Sequence, residues 1–309
     1  MRTRSLRLTY ISALAAGLLL LTSCATVSDE PAADLALPTP TAEEMAATEE
    51  TVKSLDALKE EIAPAEYYDP WGEWDGFGTA WLTPDAITPE SPSDFVEVTA
   101  TGLEDKETFD RRVGARVTNP SHIFRATFRC APEPVDVIVN AEFTQEQALN
   151  QAQRFAHVLG QMPVGLRGLV REIHVHDGNG SAGAGGGAIL IHSVEADEYA
   201  DFIEEVFAHE GAHLGLDWDT GGVVDQTLWE EAVASDGRFI SGYAEGFGVT
   251  ATLEDVAESY VAFLIWALHR DQGLFPESAA GIEALIPARL QVFESLGPDF
   301  GPLPASCGS

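Results

Sequence analysis

Apolar and polar residues along this chain follow two periods, and the order in which the periods appear sets the expected architecture. Phe95 to Thr101, His122 to Arg129 and Val135 to Phe143 alternate or are rich in β-branched residues, which predicts strands. Thr144 to Leu159 changes to a helical period, with Ala148, Ala152, Phe155, Ala156 and Leu159 along one face and Thr144 with Gln147 as a capping box. Glu172 to His176 and Ala188 to His192 return to strand character, and the glycine-rich Gly178 to Gly187 between them predicts a hairpin connection. That stretch lacks the Lys-Ser/Thr ending and the strand-to-helix context of a phosphate-binding loop. Tyr199, Phe202, Ile203, Val206 and Phe207 then recur at three-and-four spacing and predict a helix. Further helices are predicted around Leu228 to Ser235, over Leu253 to Arg270 and over about Glu277 to Leu296. Strands first and helices after them predict an α+β domain over residues 94–309, with a small mixed or antiparallel sheet and one core.

The segments ahead of this domain lack both periods. Arg2, Arg4 and Arg7 precede an apolar run, Ile11 to Leu21, that is too short for the roughly 20 residues of a spanning helix, so residues 1–23 predict an export signal. Residues 24–66 are rich in Ala, Pro, Thr and Glu and predict a tether, since they hold too little apolar surface to fold alone. Within it, Thr41 and Glu44 stand as a capping box ahead of Met45, Val52, Leu55 and Ile62 and predict a marginal helix. Residues 67–93 hold Tyr67, Tyr68, Trp71, Trp74, Phe77 and Trp81 among prolines and glycines. This composition predicts an irregular strap whose rings dock on the domain, the alternative being a stacking platform for sugars or peptides.

Charge and cysteine usage narrow the function classes. Lys and Arg number 17 against 50 Asp and Glu, a net charge of -33, which repels nucleic acid and, with no basic patch, disfavours a nucleic-acid partner. Leu21-Thr22-Ser23-Cys24 resembles a bacterial lipobox. By that resemblance Cys24 is the diacylated first residue of a lipoprotein, anchored to a membrane of the cell envelope outside the cytoplasm. The residue after it, Ala25, is not the aspartate that retains many Gram-negative lipoproteins at the inner membrane, which implies the outer membrane in such a cell. In that oxidising compartment Cys130 and Cys307 are predicted to form a disulfide. Closing so long a loop contributes about 5 kcal/mol in the chain-entropy model.

The sharpest chemical signal is His209-Glu210-Gly211-Ala212-His213. On a helix, residues four apart share a face, so both imidazoles can meet one metal ion while Glu210 reaches a water bound to it. The alternative is a pair of core histidines satisfied by hydrogen bonds. The chain's remaining histidines show no ligand spacing and are expected to be structural, although His174 and His176 share a strand face.

A catalytic zinc needs a third protein ligand, with one position left to water. Asp219 lies six residues after His213, but the glycine of the corresponding turn, Gly215, stands two residues after that histidine rather than three; Asp217 and Asp219 are therefore expected in structural or outer-sphere roles. Downstream, Thr252 and Asp255 predict a helix start, and Glu254 and Glu258 project one turn apart from an otherwise apolar helix, as acids facing a cation do.

His209-Glu210-x-x-His213 followed by Glu254-Asp-x-Ala-Glu258 resembles the gluzincin metallopeptidases and, at this site, the anthrax lethal factor protease domain. The resemblance extends through Ser235 to Ala244 and, more weakly, to Asp110-Arg111-Arg112-Val113. It implies a zincin-like catalytic domain and one zinc ion, with Glu254 as the third ligand and Glu258 holding His209. It also implies a tyrosine at the site; Tyr243, eleven residues before Glu254, is the candidate, the alternative being a packed side chain.

The expected function is zinc-dependent hydrolysis of peptide or protein substrates, with Glu210 as general base and Tyr243 stabilising the oxyanion. The strand ending at His192 is expected to pair with an extended substrate. Rival readings are a non-catalytic, lipid-anchored binding protein on the same scaffold, and an amidase acting on a non-protein amide. Oligomeric state is not legible.

Overall fold

A long hairpin opens the domain. β1 (Phe95–Asp110) and β2 (Ala115–Phe128) pair antiparallel along their whole lengths, and β3 (Val135–Asn140) adds antiparallel to β2. These elements belong to a computed structural model that describes residues 86–131, 133–198, 200, 202–272 and 276–302. All of them lie in the second of the two units, Met1–Tyr67 and Tyr68–Ser309, into which the chain divides. The signal, Cys24, the tether helix, the strap aromatics and Cys307 lie outside the described residues.

After β3 the chain crosses over through α1 (Gln145–Gln161) and the single turn α2 (Val164–Arg167) to β4 (Glu172–His176). The capping box of α1 forms as its sequence predicts: Gln147 N–H donates to Thr144 Oγ1 at 3.3 Å, and Thr144 N–H donates to Gln147 Oε1 at 3.0 Å. Its alanine, Phe155 and Leu159 face is fully buried against the sheet. Next come β5 (Gly183–Gly185) and β6 (Ala188–His192), giving a six-stranded mixed sheet of order β1-β2-β3-β4-β6-β5.

Two expectations about this sheet fail for identifiable reasons. β4 and β6 are parallel, so the glycine-rich stretch is a crossover and not a hairpin between them. Within it β5 turns back on β6 through Gly186 and Gly187, both at positive φ, as a tight turn of that hand requires. β6 therefore lies inside the sheet, with the three-residue β5 at its edge pairing only with Ala188 to Leu190. The β1–β2 hairpin also runs well past its predicted ends. Residues 103–107 are exposed or nearly so and polar except Leu103, and backbone pairing with the partner strand holds them without a hydrophobic signal.

The helices follow. α3 (Ser193–Glu198) and α4 (Ile203–Gly215) lead from β6; α5 (Gln226–Asp236), the short α6 (Gly242–Gly246) and α7 (Ala251–Gln272) come after. The last predicted helix is two, α8 (Pro276–Leu285) and α9 (Pro287–Ser295), because Pro287 lacks the N–H that would continue the first and suits the first turn of a new one. The whole is α+β.

Small residues and one buried cation fix how the helices meet. A Cβ on Gly211 would stand 2.8 Å from Leu166, and one on Gly215 2.8 Å from Leu169, so both glycines let α4 close on α2 and the loop after it. Asp255, expected at a helix start, instead lies in the interior of α7: its carboxylate meets the fully buried Arg289 at 2.6 and 2.7 Å and accepts from Ile240 N–H at 2.7 Å. Arg289 also donates to Asp236 on α5, so a single guanidinium ties α5, α7 and α9. Removing one partner of a buried pair costs about 3–5 kcal/mol, and Asp236 remains to hold the arginine, so Asp255→Ala is expected at the lower end. Urea unfolding reads it as an earlier midpoint at unchanged slope; an unmoved midpoint contradicts this account.

Candidate metal centre

α4 and α7 pack against one another, and their contact brings together side chains more than forty residues apart in sequence. His209 and His213 present Nε2 atoms 3.2 Å apart. Glu254, in the first turn of α7, places Oε2 3.4 Å from the first and 3.5 Å from the second. In a tetrahedral shell with bonds of about 2.0–2.1 Å, neighbouring ligand atoms lie roughly 3.3 Å apart. The observed triangle therefore has the size of one face of such a shell. Among the described residues it is the one group of three His, Cys, Asp or Glu side chains with this convergence.

The opposite ring nitrogens fix the aim of both imidazoles. His209 Nδ1–H donates to Glu258 Oε1 at 2.9 Å, and His213 Nδ1–H donates to Asp217 Oδ2 at 2.7 Å. Each carboxylate thereby selects the tautomer whose Nε2 lone pair faces the triangle. Two such lone pairs 3.2 Å apart repel unless positive charge sits beside them. Two neutral imidazoles and one carboxylate form a donor set that fits zinc.

The surrounding carboxylates favour positive charge at the same point. Burial opposes charge on His213, yet Asp217 and Glu254 outweigh it and push its pKa up to about 9. His209 is likewise opposed by burial and raised by Glu254 and Glu258. Burial raises Glu254, but the two imidazoles bring it down to about 2.

Around the triangle stand the other expected residues. Glu210 is nearly buried on α4, and among the described residues its carboxylate has no hydrogen-bond or ion-pair partner. Tyr243 on α6 is 38% exposed, with its ring centroid 6.3 Å from that of His209. Burial, then the carboxylates of Glu254, Glu258 and Glu210, raise its pKa, so the phenol keeps its proton. Asp219 lies exposed on the turn Trp218–Thr220 and does not join the group, whereas its neighbour Asp217 does so through His213.

Two features have no counterpart in the sequence reading. Ser241 Oγ donates to Glu258 Oε2 at 3.2 Å while accepting from Ala244 N–H as the N-cap of α6. The carboxylate that aims His209 is thus tied to the start of the helix bearing Tyr243. A serine ahead of Gly-Tyr-Ala is a cap signal, but nothing in sequence links it to Glu258. The second feature is a buried cluster at the ends of β4 and β6. His176 and His192 stack with centroids 5.3 Å apart, and Asp110 from the hairpin tip lies 3.4 Å from His192 Nε2 and 3.9 Å from His176 Nδ1. This cluster pins the hairpin tip to the ends of β4 and β6. Burial lowers the pKa of His176 to about 4.

Comparison of the chain with protein-family models, with curated proteins and with solved structures gives no match.

Proposed function

We propose that this chain is a zinc-dependent peptidase with a zincin-like catalytic domain, carried as a lipoprotein of the cell envelope. The observation that carries the reading is the convergence of His209 Nε2, His213 Nε2 and Glu254 Oε2 at 3.2–3.5 Å, with a carboxylate behind each imidazole. A structural site needs no further acid, so Glu210 beside that triangle, without a partner among the described residues, favours hydrolysis over a scaffold role.

When bound, zinc supplies a Lewis acid for the substrate carbonyl and lowers the pKa of a water toward neutrality. Glu210 would take a proton from a water at the site and return it to the departing amine nitrogen. Tyr243 O–H donates to the carbonyl oxygen as negative charge develops there; its raised pKa keeps it a donor. Glu258 and Asp217 hold the imidazoles in place, and Ser241 keeps Glu258 and the Tyr243 helix in register.

The test is zinc content followed by exposure to an unbiased peptide library. One zinc per chain with cleavage supports the reading. Failure to take up zinc after metal-free purification and reconstitution overturns it, and zinc without cleavage favours the lipid-anchored binding protein.

The anchor and the disulfide belong to the same proposal. Cys24 carries the lipid, and Cys130, just after β2, pairs with Cys307. Intact-mass and peptide mapping of material from its own envelope is expected to find an acylated Cys24 and a Cys130–Cys307 cross-linked peptide. Free thiols at the latter pair, or an unmodified Cys24, contradict the respective assignment.

A further inference from the structure

The tip of the β1–β2 hairpin reaches the far edge of the sheet, over the ends of β4 and β6 and the edge strand β5. Asp110 is buried there against His176 and His192, and Arg112 is bound to Asp110 at 2.7 Å and to Glu142 at 2.9 Å. Arg111, between these two fixed residues, is exposed. Its guanidinium lies over Gly183 of β5, where a Cβ would collide with Nη2, so the strand carries no side chain where the arginine crosses it. β5 in turn packs on α4, which bears His209, Glu210 and His213.

Arg111 has no hydrogen bond or ion pair among the described residues. Acids outnumber bases 50 to 17, and Arg112, Arg116, Arg125, Arg154, Arg167 and Arg289 each hold a carboxylate, which leaves Arg111 with Lys106, Arg129 and Arg171 among the described cations that hold none. An uncommitted guanidinium on a fixed tip, above a bare edge strand, presents its fork of donors to whatever lies along that edge.

We propose that Arg111 is a specificity-determining residue that binds a carboxylate of the substrate peptide close to the scissile bond, either an acidic side chain or the free C-terminus. This rests on the zinc-peptidase reading. Without Arg111, a site rich in carboxylates on a strongly acidic protein repels such substrates; with it, one position of the substrate is selected for negative charge.

The test uses the zinc-loaded full chain and matched peptide pairs, Asp against Asn at positions flanking the cut, and free against amidated C-terminus. Wild type is expected to prefer the carboxylate by about tenfold to a hundredfold in kcat/KM, the effect of a charge-assisted hydrogen bond. In Arg111→Ala that ratio falls toward one, and in Arg111→Glu it inverts in favour of lysine at the same position. Loss confined to the Asp/Asn pairs assigns a side chain; loss confined to the amidated pair assigns the C-terminus. A second readout needs no cleavage: two zinc-directed hydroxamates, one ending in a carboxylate and the other in a carboxamide, are compared for binding to wild type and Arg111→Ala. Equal preference ratios in the two proteins overturn the role of Arg111 while leaving the peptidase intact. If wild type cleaves no peptide, the peptidase reading falls and the hydroxamate pair still decides the role of Arg111; absence of bound zinc overturns both.

Discussion

Glu210→Gln is expected to keep its zinc and its fold and to cleave peptides about a hundredfold to ten-thousandfold more slowly, the usual effect of losing a general base. Glutamine is nearly isosteric, and Glu210 supplies none of the three converging atoms, so the triangle of His209, His213 and Glu254 is left in place. Among the described residues Glu210 also holds no other side chain, so its replacement breaks no network. What the amide lacks is the capacity to take a proton from water. The loss should fall on kcat with little change in KM, because the interaction is made in the transition state and not in the bound substrate. Zinc content and kinetics on one preparation read the two halves separately. Equal rates for variant and wild type, at equal zinc, would falsify the mechanism.

How much of this was legible in sequence depends on whether a feature leaves a hydrophobic trace. α1, β4 and β6 bury a face or a whole strand, and their periods mark them to within a few residues. The distal half of the β1–β2 hairpin buries little and is held by backbone pairing, so its residues read as polar loop. The direction of β6 relative to β4 was likewise invisible, since an apolar run is the same in either orientation. At the candidate metal centre the pair on α4 could be read because four-residue spacing on one helix is local chemistry. The meeting of α4 with α7 is a tertiary event, and only the acids at the head of an apolar helix hinted at it. Ser241 and Arg111 fall within stretches that carry the resemblance, but what each touches is decided by packing between segments far apart in the chain.

Glu254→Ala is expected to strip zinc from the protein, while Asp219→Ala leaves zinc content unchanged. Both residues are acids downstream of His213, and spacing along the chain offers each as a third ligand. In space they differ: Glu254 Oε2 stands 3.4 and 3.5 Å from the two Nε2 atoms, and Asp219 sits exposed on its turn. Losing an outer-sphere partner such as Glu258 or Asp217 typically weakens metal binding tenfold to a hundredfold, about 1.4–2.7 kcal/mol. Losing a direct ligand leaves two imidazoles and should exceed that range. It also removes the carboxylate that balances charge at the centre. Competition with a chelator of known affinity, on both variants and Glu258→Gln, ranks the three. The expected order of loss is Glu254→Ala, then Glu258→Gln, with Asp219→Ala at the wild-type value. If Asp219→Ala loses zinc and Glu254→Ala keeps it, the ligand set moves to the shorter motif and α7 is only a packing partner.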